Sequence, residues 1–234
     1  MNKLIVIGAA MDQELNPILK ESKIKKEIKV ANLTIYEVEL LGREVILYKT
    51  NIGRTNASLA TAIVLQRYKK DIKEVINVGS SGAGREDQGI MKTVISDELN
   101  YSENTVEGWK KGQVPYMPEV YKTDGKLQEK FKKIMNPEIH EVGNFVCSES
   151  FLSSQAVLAE AILSNPIEIS SIDMESTAVA QVCYAFNVPF IGLRTISDNI
   201  FLENAKDSNE QFEENINHVH KGYFTLLKKY LKEN

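Results

Sequence analysis

Two short segments of this chain put carboxylates where chemistry would need them. Ser171-Ile172-Asp173-Met174-Glu175-Ser176-Thr177-Ala178 and Arg194-Thr195-Ile196-Ser197-Asp198-Asn199 each place an acidic side chain where a strand should end. Between them lie a helix-length run, Ala178 to Asn187, and the strand-like Val188-Pro189-Phe190-Ile191-Gly192-Leu193. In an open α/β sheet the carboxyl ends of the strands face the ligand crevice. Two carboxylates and an arginine meeting there suit acid–base chemistry on a polar small molecule.

The remaining sequence must supply the elements that hold these groups. Lys3 to Gly8 is continuously apolar after its first residue and reads as a buried strand. Glu27–Val30, Leu33–Leu40 and Glu44–Tyr48 read as three strands, with turns at Asn32 and Leu41-Gly42, and predict an antiparallel meander. Thr55 to Tyr68 reads as a helix with Ala57, Ala60, Val64 and Leu65 on one face. Glu74 to Val78 is a further buried strand, closed by Gly79-Ser80-Ser81-Gly82-Ala83-Gly84. Thr93–Leu99 and Glu141–Cys147 read as strands, and Thr123–Met135 and Ser153–Leu163 as helices, the latter capped by Ser153 or Ser154. Asn100 to Tyr121 is a long polar and aromatic loop, a length that inside a compact domain usually carries function or disorder. Asn209 to Lys232 reads as one long amphipathic helix docked through Phe212, Ile216, Val219, Tyr223, Leu226, Leu227 and Tyr230. Strands alternate with helices and no linker or repeat interrupts them. The expectation is a single domain, 1–234, of the three-layer α/β/α class with a central mixed sheet.

Composition narrows the function. The chain has 234 residues, 43% of them hydrophobic and 26% charged, which are ordinary globular values. A net charge of −4 gives no electrostatic case for nucleic acid or an anionic membrane surface. No run approaches the ~20 apolar residues of a membrane span. Leu4 to Met11 has one lysine before it and acidic Asp12 and Glu14 after it, so it reads as a first strand and not as a signal peptide, and a cytoplasmic protein is expected. Cys147 and Cys183 are expected as buried free thiols. His218 and His220 would point to different sides of a helix, which argues against a metal site.

Other candidate groups stay open at this level. Asp12 and Glu14, at the start of a first helix, read from position alone as complements of the helix dipole. Gly79-Ser80-Ser81-Gly82-Ala83-Gly84 lacks the Gly-x-Gly-x-x-Gly order of a dinucleotide site. It reads either as a plain turn or as a backbone surface that a ligand approaches closely. Glu175 and Asp198 each have an alternative as helix-end carboxylates.

These pieces together resemble the 5'-methylthioadenosine/S-adenosylhomocysteine nucleosidases, within the wider nucleoside phosphorylase superfamily. The resemblance runs from Lys3 to the C-terminal helix and is carried by Ile7-Gly8-Ala9-Ala10-Met11-Asp12-Gln13-Glu14, Val78-Gly79-Ser80-Ser81-Gly82, Asp173-Met174-Glu175 and Ile196-Ser197-Asp198. It implies a nucleoside phosphorylase-like fold and cleavage of an N-glycosidic bond in adenine nucleosides. It implies Glu14 as the general base that activates water and Asp198 as the acid that protonates the leaving purine. A carboxylic acid held protonated in a partly dry pocket suits that second role. Ser197 would orient the acid, and Arg194 would help place the water and Glu14. Glu175 would accept hydrogen bonds from the ribose hydroxyls, because a carboxylate can take two from a cis-diol. Ser80 would lie near the ribose and Gly82 would give main-chain contacts. Phe151 would stack on the purine, with core packing as its alternative, and Leu152 would offer main-chain hydrogen bonds to the purine edge. Met11, Ile52, Met174 and Phe212 would surround the 5' group. No metal or organic cofactor is implied. A homodimer is implied, with the Asn100–Tyr121 loop reaching the partner's site.

The chain departs from the family pattern in four places. Ser148-Glu149 stands where Gly-Asp is usual, Asp173 where a glutamate is usual, and Glu107 where an aromatic is usual, and the Asn100–Tyr121 loop is about two residues short. Related phosphorylases bind phosphate with arginines, whose planar guanidinium suits that anion. The arginine they carry two residues before the Gly-Ser segment is Asn77 here, and the Met11–Glu14 loop has none. Anionic Glu14 would repel phosphate, so hydrolysis is expected over phosphorolysis, and Arg43, Arg54 and Arg85 are left uncommitted. A non-catalytic nucleoside-binding protein on this fold would not need an acid–base pair.

Overall fold

A computed structural model describes residues 3–69, 71–151, 165–202 and 207–233. The strands are β1 (Leu4–Ala9), β2 (Lys23–Val30), β3 (Leu33–Leu40), β4 (Arg43–Lys49), β5 (Ile72–Ala83), β6 (Thr93–Tyr101), β7 (Tyr121–Lys122), β8 (His140–Cys147), β9 (Ile169–Asp173) and β10 (Phe190–Asp198). The helices among the described residues are α1 (Asp12–Lys20), α2 (Arg54–Tyr68), α3 (Gly125–Ile134), α4 (Ser176–Phe186), α5 (Ser208–Asn215) and α6 (His220–Glu233). The predicted Ser153–Leu163 helix lies outside the described residues.

The sheet is mixed, as the alternation of strands and helices requires. β1 pairs in parallel with both β4 and β5, and β2, β3 and β4 form the predicted antiparallel meander. β5 also pairs with β10 and β9, and β10 pairs with β6, so that β5, β10, β6, β8 and β9 close into a ring. The core lies on both faces. Ile7, Leu15, Ile18, Phe131, Leu227 and Tyr230 pack on the side of α1, α3 and α6. Val6, Val64, Leu65, Val75, Val179 and Phe145 pack on the side of α2 and α4. No helix among the described residues is long and apolar enough to cross a membrane.

Three local expectations are corrected. β2 starts at Lys23, earlier than predicted, because it is an edge strand whose exposed lysines hide its periodicity. The glycine-rich segment is not a turn: β5 continues through it, pairing Gly79–Ser81 with Arg194–Ile196 of β10 and then Gly82-Ala83 with Ile172-Ser171 of β9. Its small residues let one strand pass between two partners and leave room for side chains above it. The C-terminal amphipathic run is two helices, α5 and α6, not one. The break lets Gly222 of α6 press on the side chains of Thr93 and Thr195, where a Cβ would collide, while α5 packs on β10.

Candidate active site

The ends of β1, β5, β9 and β10 and the start of α5 surround a cavity of about 300 Å³. Its lining includes Met11, Glu14, Ile52, Ser80, Gly82, Phe151, Met174, Glu175, Ser197 and Asp198. The predicted site residues are therefore brought together, with two exceptions. Leu152 lies outside the described residues, and Arg194 stands behind the lining.

Glu14 is the third residue of α1 and is 2% exposed. Its Oε2 accepts from Ala10 N–H (3.0 Å) and Met11 N–H (3.1 Å), the second bond reaching back to the residue that starts the helix. Its Oε1 accepts from Ser80 N–H (2.7 Å) and Ser80 Oγ–H (2.9 Å). It closes the helix end, as its position alone suggests, and it also crosses to β5. A Cβ on residue 79 would lie 2.8 Å from Oε1, so glycine is what admits the carboxylate there. Burial pushes the Glu14 carboxyl above its ordinary range, against the opposing charge of Arg194 and the Ser80 hydrogen bonds. Asp12, by contrast, is a surface partner of Lys49 at 3.0 Å.

Arg194 is also 2% exposed and turns away from the lining, with Nε 2.7 Å from Asp173 Oδ2 and Nη2 donating to Asn77 Oδ1 at 2.6 Å. Asn77, noted in the sequence only for not being arginine, is this cation's acceptor, and its amide donates to Gly8 O at 3.1 Å. Asp173 had no role from sequence. Its Oδ1 accepts from Glu175 N–H (3.1 Å), Ser176 N–H (3.0 Å) and Ser176 Oγ–H (2.9 Å), so it is the carboxylate that closes the start of α4.

That frees Glu175 from the helix-end role. Its Oε1 accepts from Gly53 N–H at 2.9 Å, while the carboxyl faces the cavity. Burial first, then the neighbouring charge of Asp173, raises the Glu175 carboxyl from 4.5 to about 8. The folded state therefore holds this proton more tightly than the unfolded one. Its stabilising effect is complete below pH 4.5 and is lost as pH rises toward about 8. Glu175→Gln is expected to flatten this fall when the melting temperature is followed from pH 4.5 to 8. An unchanged pH slope in the variant would remove Glu175 as its source.

Asp198 ends β10 and is 5% exposed. Its Oδ1 accepts from Ser197 Oγ (2.7 Å) and its Oδ2 from Ser208 Oγ (2.9 Å). It caps no helix. Burial raises its carboxyl above the ordinary range, against the donors Ser197 and Ser208. A Cβ on residue 82 would lie 3.2 Å from Oδ2, so Gly82 leaves space beside the acid. Ser197 Oγ also lies 3.1 Å from Ser81 O, and can give its one hydrogen to that carbonyl when Asp198 is protonated.

The apolar part of the lining includes Met11, Ile52, Met174, Phe151 and Phe212, the two phenyl rings meeting edge to face at 5.8 Å. Phe151 is 41% exposed, which excludes the core reading. At the rim Arg54 is held by Glu149 (2.7 Å) and Glu103 (3.2 Å), and Glu149 Oε2 also accepts from Arg54 N–H at 3.3 Å. The Ser148-Glu149 departure thus serves to tie the Phe151 segment to the start of α2. Arg85 is spent on Asp87 and Glu141. Cys147 and Cys183 are buried free thiols.

The family model described as "Phosphorylase superfamily" matches residues 4–232. A 5'-methylthioadenosine/S-adenosylhomocysteine nucleosidase of Staphylococcus aureus (strain MRSA252) is 33% identical over 222 residues, which cover 89% of this chain and 96% of that protein. One of Haemophilus influenzae (strain PittEE) is 36% identical over 200 residues, 84% and 86% of the two chains. Among solved structures, the Neisseria meningitidis 5'-methylthioadenosine/S-adenosylhomocysteine nucleosidase in complex with methylthio-immucillin-A superposes with a TM-score of 0.90 at 26% identity, covering 99% of this chain and all of that one.

Proposed function

The chain belongs to the phosphorylase superfamily, and from that membership we propose that it is an N-glycosyl hydrolase releasing adenine from 5'-methylthioadenosine and S-adenosylhomocysteine. 5'-Deoxyadenosine, which differs only at the 5' end, is proposed as a further substrate. The observation that carries the reading is the pair of buried carboxyls, Glu14 and Asp198, lining one cavity whose described walls contain no lysine or arginine. A phosphorylase needs a cation for its nucleophile, and Arg194 is committed to Asp173 and Asn77. Water needs none.

In this proposal Asp198 gives its proton to N7 of the leaving purine while Glu14 draws a proton from water on the opposite face of the sugar. An oxocarbenium-like ribosyl group forms between them, as in inverting glycoside hydrolysis. Glu175 hydrogen-bonds the ribose hydroxyls and Phe151 covers the purine. A carboxylate has about four acceptor positions, and in Glu14 three face backbone N–H groups and the fourth faces the Ser80 hydroxyl. The hydroxyl is the replaceable partner. Ser80 turns toward the sugar and yields its place on Oε1 to the water.

The test is adenine release by the purified chain from 5'-methylthioadenosine and S-adenosylhomocysteine in phosphate-free buffer. Turnover supports the reading, and tight binding without release would make the chain a nucleoside-binding protein instead.

A cytoplasmic homodimer completes the proposal. Ile52 at the cavity mouth, Leu59 on α2, and Val106 and Tyr116 in the 102–120 loop are all exposed apolar groups, and closed two-fold dimers are the commonest homo-oligomers. Light scattering at assay concentration is expected to give a dimer. A fully active monomer would contradict this and would mean that the 5' pocket is finished within one chain.

A further inference from the structure

The acid has a partner that neither the motif around it nor the cavity lining discloses. Ser208 is fully buried and is the first residue of α5, behind Asp207, whose side chain caps that helix by accepting from Asn209 N–H at 2.8 Å. Its hydroxyl meets Asp198 Oδ2 at 2.9 Å. A hydroxyl carries a single hydrogen, and among the described residues Asp198 is the acceptor it meets. Oδ2 is the oxygen beside Gly82, where the missing Cβ leaves room for a ligand to meet it. We propose that Ser208 is a positioning residue for the general acid, fixing Oδ2 toward the purine and donating to it as the carboxyl becomes a carboxylate. This rests on the reading of Asp198 as the acid.

The chemistry runs as a proton transfer with its charge accounted for. Neutral Asp198 gives the hydrogen on Oδ2 to N7, the glycosidic bond breaks toward the purine, and adenine leaves neutral. The electron pair of the O–H bond stays on Asp198. Ser208 and Ser197 then hold one carboxylate oxygen each. Hydrogen bonds to a charged group are stronger than those to a neutral one, so Ser208 stabilises the state after transfer more than the state before it. That is the differential needed to speed the step.

α5 is built to deliver this hydroxyl. Gln211 Oε1 accepts from Asn199 N–H at 3.0 Å, directly after the acid, and Asn215 Nδ2 donates to Ser197 O at 3.0 Å, directly before it. Phe212 of the same helix meets Phe151 at the cavity. The helix that touches the purine-stacking ring thus also holds the acid. The charged group facing Asp198 from α5 is Asp207, which opposes its ionisation. On β10 the nearest cation, Arg194, is turned to Asp173 and Asn77. The 85–88 turn packed against Asn199 presents it with backbone carbonyls.

The test is Ser208→Ala and Ser208→Thr, each followed from pH 5 to 10 on 5'-methylthioadenosine and on a ribosyl substrate with a much better leaving group. Removing a donor disfavours the carboxylate, so the alkaline limb of kcat is expected to move to higher pH in Ser208→Ala. kcat on 5'-methylthioadenosine is expected to fall about 10-fold, the loss of one hydrogen bond to a charged group, with a smaller loss on the good leaving group. Ser208→Thr keeps the hydroxyl and restores both. An unmoved limb in Ser208→Ala, or an equal loss on the two substrates, overturns the proposal. The wild type separates the two levels. If it releases no adenine, the functional reading fails, whereas an active wild type with an unshifted Ser208→Ala defeats only the role of Ser208.

Discussion

Asp198→Asn is expected to lower kcat for adenine release by on the order of 10²–10⁴, the usual worth of a positioned general acid. The purine cannot leave as an anion at neutral pH without help, and the variant amide has no acidic proton to give. Its shape is nearly that of the acid, and its oxygen and nitrogen can still meet the Ser197 and Ser208 hydroxyls that hold the wild-type carboxyl at 2.7 and 2.9 Å. The melting temperature should therefore change little, and binding of a non-hydrolysable analogue should persist. A substrate with a better leaving group needs less protonation and should lose less. Equal losses on both substrates would assign Asp198 to binding or structure.

Glu14→Gln is expected to cost a similar 10²–10⁴ in kcat through loss of the general base, but with a second signature. The wild-type carboxylate satisfies three backbone N–H groups and one hydroxyl. A glutamine oxygen can serve Ala10 and Met11, and its NH₂ can then donate to Ser80 Oγ, yet Ser80 N–H is left without an acceptor. An unpaired buried donor costs about 1–3 kcal/mol, so this variant should also melt earlier. Turnover near the wild-type rate would place the base elsewhere.

The sequence made the candidate site legible where it was local. Asp198 and Glu175 were readable as carboxylates at expected strand ends and Glu14 as one opening a helix after β1, while the roles proposed for them came from the family resemblance. The β2–β4 meander was readable from its alternation and turn residues. The Gly79–Gly84 segment misled because glycine and serine signal turns locally, whereas pairing with β10 and then β9 overrides that preference. The break between α5 and α6 was invisible because its apolar residues, Ile216 and Val219, continue the helical stripe and are themselves buried. Asn77, Asp173 and Ser208 were missed for a common reason. Asn77, the Asp173–Arg194 contact and Ser208 each depend on a second residue that only the fold brings near, Asn77 reaching an arginine 117 positions away. Glu149 and Arg54, 95 positions apart, are paired in the same way.

The most direct test of the whole account is the identity of the sugar product when 5'-methylthioadenosine is turned over in saturating phosphate. In the proposed mechanism anionic Glu14 repels a second anion, and no cation lines the described walls of the cavity, so water should win even there. The account predicts free 5-methylthioribose in one-to-one yield with adenine, at a rate independent of phosphate. Formation of 5-methylthioribose 1-phosphate, or a rate that rises with phosphate, would contradict it.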